Sequence, residues 1–78
     1  MSKNNKIKHA VRKIAVSFGA KQIVWFPSED GSFNGAKLRI PNEFPQIVSY
    51  NGISFSSRAT NDRKNEWKYC GTLEELLA

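Results

Sequence analysis

Residues 46–58, QIVSYNGISFSSR, decide the fold. Two runs of alternating apolar and polar residues flank Asn51-Gly52. An Asn-Gly pair in that setting predicts a two-residue type I′ turn, because both central positions of that turn need positive φ. The turn would place Tyr50 opposite Ile53 and Val48 opposite Phe55 on one face. Ser49 would then face Ser54, and Ile47 would face Ser56, on the other. The first face reads as core and the second as mostly wet.

Upstream of this hairpin, Lys37–Ile40 alternates basic and apolar residues, with Leu38 and Ile40 on one face and Lys37 and Arg39 on the other. That predicts a half-buried strand. Gln22–Phe26 is rich in β-branched and aromatic residues and predicts another, ended by Pro27. Between them, Pro27–Ala36 carries Ser28, Asp30, Gly31, Ser32, Asn34 and Gly35, which read as a turn. Phe33 stands alone there as a candidate lid. Pro41 and Pro45 bracket a second turn around Asn42, Glu43 and Phe44.

Downstream, Ala59–Asn65 is a polar loop. Glu66–Cys70 predicts the last strand, with Trp67 and Tyr69 inward, Lys68 outward and Gly71 as its end. Thr72-Leu73-Glu74-Glu75 matches the capping-box pattern and opens a short helix that runs to Ala78. Its two acids fall in the first turn, where the helix dipole favours them.

At the other end of the chain, Ile7, Ala10, Val11, Ile14, Ala15 and Phe18 recur at helical spacing and fill one arc of about 140°. Lys6, Lys8, His9, Arg12 and Lys13 fill the opposite arc, with Val16 as the exception among them. Asn4 or Asn5 is a candidate cap and Gly19 a stop, so an amphipathic helix is expected over residues 5–18. Residues 1–4 are expected to be frayed.

The expected architecture is a small single α+β domain over residues 1–78. It is a meandering antiparallel sheet of four to five strands, with the N-terminal helix packed on it and a short C-terminal helix. The chain has 78 residues, 40% of them hydrophobic and 12% aromatic. A chain this short buries only about 60% of its unfolded surface, so the aromatics must carry the core. Trp25, Tyr50, Phe55, Trp67 and Tyr69 are the expected core, covered by Phe18 from the helix.

Length and composition also exclude classes of protein. No apolar run approaches the roughly 20 residues of a membrane span. The N-terminal cations are not followed by the apolar segment of a secretory signal. The single Cys70 permits no internal disulfide and no cysteine-based zinc site. Together these point to a reducing, cytoplasmic setting.

Catalytic chemistry finds little support. His9 is the only histidine and lies among lysines, which reads as a solvated helix residue. Cys70 reads as a small filler on a strand, not a nucleophile. Glu29/Asp30 and Glu74/Glu75 are sequence neighbours with turn and helix-start roles. Gly31 and Gly35 are not followed by the Gly-Lys-Ser/Thr of a phosphate loop. The expectation is a protein that is not an enzyme and has no cofactor or metal.

The charge distribution is more informative. The formal net charge is +5, yet residues 1–21 carry six cations and no acid, while residues 22–78 carry six cations and all seven acids. The helix face therefore has three readings: a solvated surface, a nucleic-acid contact, or an interfacial membrane helix. The last is disfavoured by an apolar face that lacks Trp and has a sheet to cover. A basic face without acids is the footprint that phosphates select. The strands add outward hydroxyls and cations: Lys37, Arg39, Ser49, Ser54, Ser56, Arg58 and Lys68. Such a face can lie against DNA.

From Tyr50 onward, YNGISFSSRATNDRKNEWKYCGTLEELLA resembles the small three-stranded-sheet-plus-helix DNA-binding modules of the integrase arm-binding and plant transcription-factor type. The shared features are a hairpin, a second hairpin, an aromatic-and-glycine strand end and a Glu-rich helix start. The resemblance covers residues 50–78. The chain departs from it in its long N-terminal part and in a closing helix that is too short.

The expected function is non-catalytic nucleic-acid binding through Lys6, Lys8, Arg12 and Lys13, with Arg39, Arg58 and Lys68 from the sheet. The alternative is a small protein-binding regulator or inhibitor, of the kind mobile elements encode, that docks on an acidic surface of a larger protein. Phe33, Phe44 or an edge strand would then make the contact. Neither reading involves a membrane.

Overall fold

The computed structural model describes residues 3–27, 33–64 and 66–78, apart from the side chains of residues 27, 33 and 34. Helix α1 (Lys3–Phe18) is followed by β1 (Gln22–Pro27), β2 (Phe33–Arg39), β3 (Gln46–Tyr50), β4 (Ser54–Ala59), β5 (Lys68–Thr72) and α2 (Leu73–Leu77). The strands form one antiparallel sheet in chain order, β1-β2-β3-β4-β5. The α+β meander expected from the sequence is the fold observed.

Helix α1 begins at Lys3, so Asn4 and Asn5 lie inside its first turn and do not precede it. It buries Ile7, Ala10, Val11, Ile14 and Ala15, the arc the periodicity marked, and leaves Val16 79% exposed among the cations. It ends in a Schellman arrangement. Gly19 takes φ +72°, its N–H donates to Val16 O at 3.0 Å, and Ala20 N donates to Ala15 O at 2.9 Å. That geometry satisfies two carbonyls the helix end would leave orphaned.

The core is one layer between α1 and the sheet: the five helix residues with Ala36, Leu38, Val48 and Phe55. Ile23, Trp25, Tyr50, Cys70 and the α2 leucines pack around it. Ser57 is the buried polar residue of this layer. Among the described residues, every buried side-chain nitrogen or oxygen has a hydrogen-bond partner, as burial of polar atoms requires.

The sheet departs from expectation in several places. Tyr50 pairs with Phe55, Ser49 with Ser56, Val48 with Ser57 and Ile47 with Arg58, a register two residues longer than a two-residue turn allows. Gly52 takes φ +97°, whereas Asn51 does not adopt positive φ. Asn51 acts through its side chain instead: Oδ1 accepts from Ile53 N at 2.9 Å and from Ser54 N at 2.8 Å. A shift of two leaves each side chain on its expected face, because the pleat repeats every two residues. Ile53 is the exception; it leaves the strand and is 72% exposed. Replacing Asn51 with Ala is expected to cost about 1 kcal/mol, because one acceptor serves two N–H groups. Gly52→Ala should cost about 1–2 kcal/mol through its positive φ. Thermal melts of the two single variants check both.

Strand β2 begins at Phe33, so the stretch 33–36, expected as turn, is strand. The expected turn residues Ser28, Asp30, Gly31 and Ser32, and the side chain of the candidate lid Phe33, lie outside the described residues. Asn42 takes φ +63° in the Pro41–Pro45 turn.

The last strand is turned over. It starts at Lys68 and continues through Gly71 to Thr72. The pairing passes from Phe55↔Gly71 to Ser56↔Tyr69, leaving Cys70 without a cross-strand partner, a bulge that flips the facing of the strand on either side of it. Trp67 and Tyr69 are consequently 47% and 63% exposed, not core. Trp25 and Tyr50 are half-buried. Phe55 alone of the five expected core aromatics is fully buried. Residues 50–78 thus form two strands and a five-residue helix within a larger sheet, unlike the three-stranded module with a long helix that they resemble.

Helix α2 carries the expected capping box: Glu75 N donates to Thr72 Oγ1 at 3.1 Å, and Thr72 N donates to Glu75 Oε1 at 3.4 Å. The Tyr69 hydroxyl also donates to Glu75 Oε1, at 2.7 Å. That hydrogen bond, with those from Thr72, holds the Glu75 carboxyl below its ordinary pKa, and the same bond raises that of Tyr69. The Glu75 contribution to stability is therefore present above its unfolded pKa and fades as pH falls through the lowered folded value. That of Tyr69 is present below its unfolded pKa and fades as pH rises through the raised one. In Tyr69→Phe, NMR titration should find the Glu75 carboxyl moved back up toward its ordinary range.

Candidate nucleic-acid interface

Alternation along each strand sorts the side chains by face. Ala36, Leu38, Val48, Phe55 and Ser57 point to α1, so their neighbours point away from it. Cross-strand pairing aligns those neighbours in rows. One row runs Val24, Lys37, Ile47, Arg58 across β1 to β4. The Arg58 guanidinium lies over the Trp67 ring, 5.4 Å from its centroid, which extends the row toward β5. A second row holds Phe26, Gly35, Ser49 and Ser56. Arg39 stands next to the first row, opposite Gln22. Phe26 is 41% exposed and Trp67 47%.

Helix α1 covers one face of the sheet, and α2 packs beside it against α1 and β5. Among the described residues no element lies over the other face. That open face is cationic because no strand contains an Asp or Glu; among the described residues, Glu43, Asp62 and Glu66 fall between strands and Glu74 and Glu75 in α2. Val24 and Ile47 supply apolar ground between the cations, and Ser49 and Ser56 supply hydroxyls.

The sequence-predicted site residues do not form one surface. Lys37, Arg39 and Arg58 share the open face. Lys6, Lys8, Arg12 and Lys13 belong to α1, on the opposite side of the sheet. Lys68 pairs with the buried Ser57 and lines a groove with Lys13, Ile14, Phe18 and Cys70, so it belongs to the helix side and not to the outer face. Lys8 Nζ lies 5.8 Å and the Arg12 guanidinium 5.7 Å from the Trp25 ring centroid. These two cations therefore roof a half-buried indole, a structural task worth roughly 0.5–1 kcal/mol each.

Sequence reasoning misses Trp67 and Phe26 as surface residues. Simple alternation puts Trp67 inward, and no local pattern marks the bulge that turns it out. Phe26 carried a usable signal: it lies one residue beyond Trp25, and alternation puts the two on opposite faces.

His9 is exposed on α1. The half-buried Cys70 thiol donates weakly to Lys68 O at 3.6 Å. Among the described residues, no three His, Cys, Asp or Glu side chains gather as metal ligands, and no helix is long and apolar enough to cross a membrane.

No family model, curated protein or solved structure matches this chain.

Proposed function

We propose that the protein is a non-catalytic nucleic-acid-binding module and that the open sheet face makes the contact. The observation that carries this reading is the placement of Lys37, Arg39 and Arg58 on one uncovered face of a sheet whose strands lack acids. Polyanions select such a surface, because each phosphate neutralised releases a counterion. The hydroxyls of Ser49 and Ser56 suit phosphate and sugar oxygens, and the exposed rings suit bases. The cations of α1 form a separate patch that helps steer a polyanion without touching the same segment. The reading includes a cytoplasmic location.

The test is equilibrium binding to nucleic acid across a salt series. Affinity is expected to fall steeply with salt in the wild type and to fall less steeply once the open-face cations are removed. Absence of salt-dependent binding at low ionic strength overturns the reading.

One observation favours the second reading, a regulator that docks on an acidic protein surface. Phe44, in the Pro41–Pro45 turn, is 62% exposed and offers an apolar anchor. Phe44→Ala should leave nucleic-acid affinity unchanged within error in a filter-binding assay. A loss there would place the turn in the interface.

A further inference from the structure

We infer that the nucleic acid taken by the open face is single-stranded, with bases stacking on the Arg58–Trp67 pair. The inference rests on the proposed function and narrows its ligand. Its first ground is width. Five strands at a spacing of about 4.8 Å span about 19 Å, before side chains are added. The major groove of duplex DNA is about 12 Å wide and admits a helix or a two-stranded ribbon. A five-stranded sheet presented flat does not enter it. The helix that would fit a groove lies on the opposite side, with Lys8 and Arg12 turned onto Trp25.

The second ground is the chemistry of the face. A contact with duplex phosphates needs cations alone. This face adds Trp67 and Phe26, exposed at its two ends, and the half-buried Val24 and Ile47 between them. Aromatic rings gain from stacking only on bases that are themselves unstacked, which single strands offer and duplexes withhold. Trp67 is already paired with a guanidinium at 5.4 Å. A planar cation over an indole is a prepared stack: a base can extend it on the guanidinium plane or on the free indole face, while the charge serves a neighbouring phosphate. Lys37 lies two strands from Arg58, on the far side of Ile47, so a strand running along the row meets cation, apolar ground, cation and ring in turn.

The experiment titrates the full chain with three probes: an oligodeoxythymidylate, an oligouridylate and a duplex of the same length. The readouts are anisotropy of the labelled probe and tryptophan fluorescence. Trp25→Phe leaves Trp67 as the only indole. Where that variant folds poorly, the difference between wild type and Trp67→Phe isolates the same signal.

The expected result is tighter binding of a single strand than of the duplex, with quenching of Trp67. Trp67→Ala should weaken single-strand affinity by roughly 5- to 150-fold, with Trp67→Phe closer to wild type. Tighter binding of either single strand than of the duplex supports the inference, whichever of thymidylate and uridylate binds better. Equal or tighter binding of the duplex overturns it and leaves the proposed function standing. Unchanged affinity in a folded Trp67→Ala also overturns it. Binding to none of the three overturns both.

Discussion

Phe55→Ala is expected to remove about a quarter or more of the protein's stability and to lower its urea midpoint sharply. Phe55 is fully buried in the layer between α1 and the sheet, and its ring stacks on Tyr50 with centroids 4.4 Å apart. It sits where β3, β4 and β5 meet, opposite Tyr50 on one side and Gly71 on the other. Truncation removes a ring and leaves a cavity beneath the helix, at a typical cost of about 3–5 kcal/mol. A domain of this size has a total stability of only about 4–12 kcal/mol. The core residues that would collapse into the space include Leu38, Val48 and Val11, and each is itself fully buried. Urea denaturation followed by circular dichroism checks the prediction. Phe55→Leu gives the graded control, with a cost under about 1.5 kcal/mol if the pocket adapts, and a melting temperature lowered by several degrees. A Phe55→Ala protein that melts like wild type would place the core elsewhere.

Much of this architecture is legible in the sequence because amphipathic period and turn chemistry agree with it. The helical spacing of Ile7 to Phe18, the stop at Gly19 and the capping box at Thr72 each report local physics, and each is found in place. Pairing is what local patterns miss. The hairpin register depends on whether Asn51 uses positive φ or its side chain, and the same two letters serve both. The bulge at Cys70 depends on how β5 meets β4, which no local pattern records. Its consequence is large: Trp67 and Tyr69 are exposed and Lys68 lines the helix-side groove. The alternation of β1 to β4 is untouched by that bulge, so Lys37, Arg39 and Arg58 point outward as their spacing predicts. The candidate site is therefore legible as a list of cations and not as a surface. Charge counted along a chain carries no information about which side of a sheet it will occupy.

That separation of faces sets the second large effect, a contrast between two triple variants with equal loss of charge. Lys37, Arg39 and Arg58 changed together to Gln remove three cations from the open face. Lys8, Arg12 and Lys13 changed together to Gln remove three from α1, with helix propensity preserved. Net charge falls by three in both, so a difference between them reports position and not bulk electrostatics. If the open face carries the phosphates, the first variant should have a log K against log salt slope shallower by about 2 on a single strand, at about 0.7 per contact. It should lose affinity on any sequence, because phosphate contacts position and do not specify. Its fold should be little changed, since these side chains do not reach the core. The second variant should keep nearly the wild-type slope. Its cost should appear in stability instead, at roughly 1–2 kcal/mol, because Lys8 and Arg12 no longer cover Trp25. Two measurements, a salt series and a thermal melt, thus separate the variants along opposite axes. The reverse pattern, a lost slope for the helix variant and none for the sheet variant, would move the interface to α1. Unchanged slopes in both would remove the phosphate contact altogether and leave docking on an acidic protein surface as the reading to pursue.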